Sequence, residues 1–315
     1  MNNLLRLIGR RLLMLPITIL GVTFLVFALM SLSPIDPAYS ALGDTASQVQ
    51  LDAYRELHGL NQPFLVQYFN YIVNLFQGDL GVYGQASQSV SDKVFTALPL
   101  TIQLTFLGLA IALIVAFPLG IIAAIFRDKW PDQVIRLLSV ASIATPSFWL
   151  AILLVVTFIG KLPVSGKLPE FSDNPGGWLL RMLLPACALA VPVIGQLTRV
   201  VRTSMVEELN RDYVRTALGA GIPKNIVIGR NVLRNALITP VTVIGLRVGY
   251  LMGGAVVIEI IFGLAGMGRV LVEGIQQNWV TVVQGAALVV ALAFVIINIL
   301  VDLLYVVINP RIRGV

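Results

Sequence analysis

The chain has 315 residues, 57% of them hydrophobic and 12% charged, with a formal net charge of +6; a typical soluble domain carries about 25% charged residues. So apolar a composition excludes an ordinary soluble globular domain, and the basic excess reads as a determinant of membrane topology, since basic runs with interleaved aromatics are absent. One cysteine, Cys187 in the stretch LLPACALAV, and one histidine, His58, exclude a disulfide framework and leave metal and thiol catalysis without a recognisable ligand or nucleophile set.

A membrane helix needs about 20 mostly apolar residues, so runs free of Asp, Glu, Lys and Arg mark the elements. The first is Leu12–Leu32, preceded by Arg6, Arg10 and Arg11. A basic start before an apolar core also fits a secretory signal. However, this run has 21 residues, against about 7 to 15 in a signal core, and Ser33-Pro34-Ile35-Asp36-Pro37 reads as a turn, so an uncleaved helix is expected. From Ser33 to Lys93 lies a stretch rich in Gly, Ser, Gln and Asp, with one aromatic segment, Phe64 to Tyr71, that suits an interfacial or packed helix. This stretch reads as a capping or docking element beside the membrane.

The second run, Val94–Phe126, has 33 residues, roughly 50 Å of helix, so its first turns around Pro99 are expected at the membrane surface. Leu137–Gly160 and Met182–Thr198 follow as the third and fourth runs. Leu237–Phe262, interrupted by Arg247 and Glu259, is the fifth, and Gly274–Val301 the sixth. Six spans put both termini on one side. Fifteen Lys and Arg lie at the termini and in the connections 127–136 and 199–234, against six (Arg55, Lys93, Lys161, Lys167, Arg181, Arg269) on the other face, which places both termini in the cytoplasm. The fold expected is all-α and polytopic. Residues 1–93 form a first transmembrane helix with an extracytoplasmic segment, and 94–315 form a five-helix core whose main cytoplasmic feature is the loop 199–236.

That loop carries the most informative segment, from Glu207 to Pro223. Leu209, Tyr213 and Ala217 recur at i, i+4 and i+8, giving one weakly apolar helical face, while Arg211, Asp212 and Arg215 are free to meet water or a partner. Thr216, Ala217, Gly219, Ala220 and Gly221 are all small, so another surface can approach the backbone closely. Gly221 suits a left-handed helix stop and Pro223 the first turn of a second short helix. On spacing alone, an ordinary solvated loop with charged helices fits as well.

The segment resembles the cytoplasmic loop of permease subunits in binding-protein-dependent ABC importers, whose pattern runs Glu-Ala-Ala, three residues, Gly, nine residues, Ile, one residue, Leu-Pro. Its second Ala falls on Ala217, its Gly on Gly221 and its Leu on Leu233, while Arg215, Thr216, Asn231 and Arg234 depart from it. Asp212 to Ala217, and Leu233-Arg234-Asn235-Ala236-Leu237-Ile238, are similar to the dipeptide and oligopeptide branch, which departs in the same way. Gly78-Asp79-Leu80-Gly81, Pro146-Ser147-Phe148-Trp149-Leu150, Gly253 to Glu259, and Asn298 through Asp302 to Arg313 agree in order with the first permease of that branch.

The resemblance implies the transmembrane domain of a type I ABC importer in a prokaryotic inner membrane. Its partners are a second homologous permease, two cytoplasmic ATPase subunits or domains, an extracytoplasmic substrate-binding protein and the lipid bilayer, with no nucleic acid. It also implies that Asp212, Tyr213, Ala217 and Gly221 lie at the contact with the ATPase. No cofactor is expected in this chain, ATP-Mg belonging to the ATPases: there is no Gly-x-x-x-x-Gly-Lys-Ser/Thr, Gly160-Lys161 and Gly166-Lys167 each being followed by Leu. No enzymatic activity is expected. The cargo class is di- or oligopeptides or a related small solute.

Charged residues in the spans are costly and usually face a bundle interior, water or a partner. Arg247 and Glu259, 12 residues and about 18 Å apart on one helix, cannot pair within it. Interfacial anchoring is expected for Glu259 and Asp302, and Arg247 is the candidate for the translocation path. A stand-alone ion-coupled transporter is the competing reading; it calls for mid-span acids that the first four runs and the last one lack. A membrane-embedded enzyme calls for paired nucleophile and base groups that these spans do not offer.

Overall fold

A computed structural model of the chain describes residues 2–32, 36–43, 46–84 and 87–308, with side chains described from Pro16 to Val301 apart from Ser40. The turn Ser33 to Ile35, the side chains of Arg6, Arg10, Arg11 and Asp302, and the closing segment Asn309 to Arg313 lie outside this description.

The chain is helical nearly throughout. In order come α1 (Asn2–Ser31), α2 (Pro37–Leu42), α3 (Gln48–Leu57), α4 (Phe64–Phe76), the strands β1 (Val82–Tyr83) and β2 (Gln88–Ser89), α5 (Val90–Ile125), α6 (Trp130–Ala144), α7 (Ser147–Phe158), α8 (Pro175–Leu209), α9 (Asp212–Gly219) and α10 (Lys224–Ile226). A π-helical turn (Val227–Val232), α11 (Leu233–Ala236), α12 (Ile238–Phe262), α13 (Met267–Gln276) and α14 (Val280–Ile308) complete it. Among the described residues, four helices are long and apolar enough to cross a membrane: α5, α8, α12 and α14 over Val280–Val301. A fifth crossing is counted if α6 and α7 form one span. The run from Leu12 lies in α1, whose described part Pro16–Ser31 is a shorter apolar helix.

Two runs depart from the expected single rods. The third is broken: α6 and α7 meet at 96°, because Pro146 holds Thr145 extended (φ −83°, ψ 116°) and ends α6 one residue earlier. The run from Gly274 begins in α13 and turns at Asn278, at a positive φ of 56°, before α14 starts. By contrast α5 runs unbroken through Pro99 and Pro118, and α8 through Pro185 and Pro192.

The chain divides into two compact units, to both of which α5 and α14 contribute. Unit 1 comprises Met1–Thr101 and Ala265–Ile296. Phe24 and Phe27 of α1 pack edge-on or tilted against Phe64, Tyr68 and Tyr71 of α4 at centroid distances of 5.3 to 5.9 Å. Asp36 caps α2, accepting from the Ala38 amide at 2.8 Å, and also receives the Arg55 guanidinium from α3. The antiparallel hairpin pairs Val82 with Ser89 and Tyr83 with Gln88. A core of Leu80, Tyr83, Val90, Val94, Met267, Val270 and Val282 joins it to α5, α13 and α14.

Unit 2 comprises Ile102–Leu264 and Ile297–Val315, and α8 is its spine, packed against α6, α7, α11 and α12. Glycines bring backbones together there. A Cβ on Gly120 would stand 2.6 Å from Val201, and one on Gly195 would stand 2.5 Å from the Ser139 carbonyl. Asp132 of α6 is fully buried and accepts from Arg202 of α8 at both oxygens, at 2.6 and 2.7 Å.

Two charged residues sit where the sequence did not place them. Arg181, counted with the hydrated outer face, is 2% exposed. Its guanidinium donates to the carbonyls of Pro163, Val164, Gly166 and Phe262, so it ties the chain before α8 to the C-terminal end of α12, where helix carbonyls favour a cation. Glu259, expected at an interface, is fully buried.

Candidate coupling site

The loop between α8 and α12 is built in three steps. First, α8 stops at Leu209; Asn210 still has αR geometry and its amide reaches the carbonyls of Glu207 and Glu208. Arg211 then turns extended (φ −71°, ψ 148°), and Asp212 opens α9 with an acid in the first turn, where the helix dipole favours it. Second, α9 ends in a Schellman motif: the Ile222 amide donates to the Ala217 carbonyl at 3.1 Å, and the Gly221 amide to that of Leu218 at 3.0 Å. Gly221 has φ +79°, and no atom lies within 4 Å of where its Cβ would stand, so the residue is required by its backbone angle rather than by lack of space. Third, Pro223 caps α10 rather than occupying its first turn, and the chain stays helical through the π-turn and α11 into α12.

One apolar cluster holds these pieces. Val214, 4% exposed, packs with Ala124 of α5, Val201 and Met205 of α8, Val227 and Val232 of the π-turn and Ala236 of α11. Leu209, Tyr213 and Ala217, the expected apolar face, flank it, partly buried. A polar clasp runs alongside. The Tyr213 hydroxyl donates to Glu208 Oε2 at 2.7 Å and accepts from Asn235 Nδ2 at 3.4 Å, linking the last turn of α8 to α9 and α11. Burial pushes the Tyr213 phenol above its ordinary pKa, the hydrogen bond from Asn235 opposes this and Glu208 reinforces it, so the hydroxyl keeps the proton it donates at neutral pH.

The four residues singled out in the sequence therefore divide. Tyr213 and Ala217 face the cluster, while Asp212 and Gly221 are exposed. Beside these two stand Arg215, Thr216, Gly219 and Ala220, also exposed, together with Leu218, Ile222 and Ile226, which are 42%, 39% and 46% exposed. This open face offers small residues, two charges and three aliphatic side chains. Sequence reasoning missed Val214, Val227 and Val232, whose only signal was apolarity at irregular spacing, and the Glu208–Tyr213–Asn235 clasp. Arg247 is elsewhere, half-buried in α12, with no hydrogen-bond partner at its buried Nε. Among the described residues no three of His, Cys, Asp and Glu come together as metal ligands would.

Comparison with known proteins shows the family. Residues 116–314 match the family described as binding-protein-dependent transport system inner membrane component, and residues 4–105 match the N-terminal part described for the same systems. A Brucella abortus (strain 2308) protein named as a peptide transport system permease is 43% identical over 295 residues, covering 93% of this chain and 94% of its own length. An Escherichia coli (strain K12) protein named as a D,D-dipeptide transport system permease is 37% identical over 322 residues, covering 95% of each chain. The glutathione transport system permease of Pectobacterium atrosepticum is 37% identical over 304 residues, covering 96% of this chain and 97% of its own.

Proposed function

Because the chain belongs to the family of binding-protein-dependent transport system inner membrane components, we infer that it works as a membrane permease subunit of an ATP-driven importer. Its cargo is a short peptide, or a solute of similar size such as glutathione, handed over by an extracytoplasmic binding protein. It pairs with a second, related permease, and two cytoplasmic ATPase subunits or domains bind ATP-Mg and supply the work. The chain crosses the membrane six times with both termini in the cytoplasm. Residues 1–93 form a first helix and outer segment, and 94–315 carry the permease core.

In this reading the open face of α9, with Asp212 and Gly221, seats against the ATPase, while Tyr213 and Ala217 key α9 to the helices behind it. Arg247, with an unanswered donor in α12, is the group assigned to the translocation path. The single observation that carries the reading is the cluster around Val214. It joins α9 to the ends of α5 and α8 and to the element that continues into α12, so a displacement of α9 moves all of these together instead of being absorbed by a loose loop. Burying one valine side chain contributes about 1.5–3 kcal/mol, and half a dozen such side chains make the joint stiff on the scale of a coupling free energy of about 1–3 kcal/mol.

The test is uptake by the complete transporter, binding protein included, in liposomes. Val214→Asp places a carboxylate in this cluster and is expected to remove ATP-driven uptake while the chain still inserts and the binding protein still docks; Val214→Ile retains uptake. Normal uptake with Val214→Asp contradicts the role. The competing reading, an ion-coupled transporter working alone, requires flux from this chain without its partners.

A further inference from the structure

In unit 1 the hairpin, the first turns of α5 and the helix α13 line an open cavity of about 580 Å3, within the range that takes small-molecule ligands. Asp92 and Lys93 from α5, Arg269 and Glu273 from α13, and the Tyr83 ring are in its wall. All belong to the face that the Lys and Arg asymmetry assigns to the outside.

Two of the four charges answer each other. Lys93 Nζ lies 3.1 Å from Glu273 Oε2 and stands 4.8 and 4.9 Å from the ring centroids of Tyr83 and Trp279. This pair and the core behind it fix α5 against α13, so the cavity wall belongs to packed helices. The other two charges, Arg269 and Asp92, are exposed and form no ion pair among the described residues. Arg269 is in the first turn of α13, whose N-cap, Gly266, has no side chain to offer as an acceptor, so the positive end of the helix adds to the guanidinium.

Among the described residues the cavity wall is thus balanced overall, with one free cation and one free anion. An apolar ligand leaves both charges unanswered, and a ligand with two charges of one sign meets repulsion at one end. A molecule bearing one ammonium and one carboxylate satisfies both by charge-assisted hydrogen bonds. We propose that this cavity is a subsite for the termini of a short zwitterionic peptide, its carboxylate held by Arg269 and its ammonium by Asp92. The inference depends on the reading of the chain as part of a peptide importer and adds a site on the permease itself.

The experiment uses the complete transporter in lipid nanodiscs, with Cys187→Ser and Gln88→Cys, and follows the rate at which a thiol reagent labels the cavity wall. Free dialanine, trialanine and tetra-alanine are compared with their N-acetyl and C-amide forms, without binding protein. At least one free peptide is expected to slow labelling about fivefold or more while its blocked forms leave it unchanged. Arg269→Gln abolishes the protection and Arg269→Lys restores part of it; in Asp92→Asn the N-acetyl peptide protects as well as the free one, an exchange of preference that a merely structural role does not produce. Equal protection by free and blocked peptides, or protection by none, overturns the subsite. Binding-protein-driven uptake by the same preparation separates the two readings. Uptake intact without protection sinks the subsite and leaves the importer standing, whereas no ATP-dependent uptake of any peptide sinks both.

Discussion

Gly221 and Tyr213, eight residues apart, do different work. At φ +79° an L side chain is strained whatever the space around it, at a cost of about 1–2 kcal/mol. Gly221→Ala is therefore expected to lower ATP-driven uptake and Gly221→Leu, which also adds bulk on the face that seats against the ATPase, to lower it further, while Gly221→Asn, of similar size but tolerant of the left-handed region, keeps more of it than Gly221→Leu at equal membrane expression. A normal Gly221→Ala variant contradicts the backbone account. Tyr213→Phe removes both arms of the clasp, costing about 0.5–1.5 kcal/mol, read as weaker retention of the ATPase on purification; unchanged retention argues against it. Because the phenol pKa is raised, its contribution is fully present below the ordinary value of about 10 and is lost only as pH rises through the higher folded value. Retention of the ATPase is accordingly flat through neutral pH as far as Tyr213 is concerned. Gly221 and Pro223 made the stop legible in the sequence. Arg181 was illegible, since a count of charges by loop cannot tell a hydrated arginine from one enclosed by four carbonyls.

At the level of elements, hydropathy located the apolar runs because a bilayer filters for length and charge, but it was blind to direction. Pro146 was visible, yet the 96° break it introduces lies inside an uninterrupted apolar stretch, and composition does not register a bend. The joint around Val214 escaped for another reason: the π-turn Val227–Val232 shifts the helical register, so Val214, Val227, Val232 and Ala236 follow no single period. The junction of α6 and α8 gives a sharper test. Arg202→Ala leaves the fully buried Asp132 with the Asp128 amide at 2.9 Å and Arg136 at 3.7 Å but no closer cation among the described residues, and is expected to cost about 3 kcal/mol. The double variant Asp132→Ala with Arg202→Ala is expected to cost clearly less. Thermal midpoints of the purified complex compare the two; equal losses contradict a role for pairing at this site.

For the molecule as a whole, membership of the importer family rests on similarity along nearly the full chain, and the proposed coupling rests on one joint in the structure. A short helix with an open face of small and aliphatic residues is keyed by one apolar cluster to the ends of two long helices, α5 and α8, and to α11, which leads into a third. The all-α class and the short helix between α8 and α12 were legible from composition and motif; which of its residues face outward and which face inward was not, because that depends on contacts of Val214 with Val201, Val227, Val232 and Ala236, set by a π-turn, and with Ala124 of α5 far earlier in the chain. The most direct measurement places a cysteine at Leu218, 42% exposed on the open face, in a Cys187→Ser background, within intact membranes containing the complete transporter. The account predicts that a membrane-impermeant thiol reagent added outside leaves Leu218→Cys unlabelled, and that a short bifunctional reagent links it to the ATPase with a yield that changes when ATP is added. Labelling from the outside, or no link to the ATPase in either nucleotide state, contradicts it.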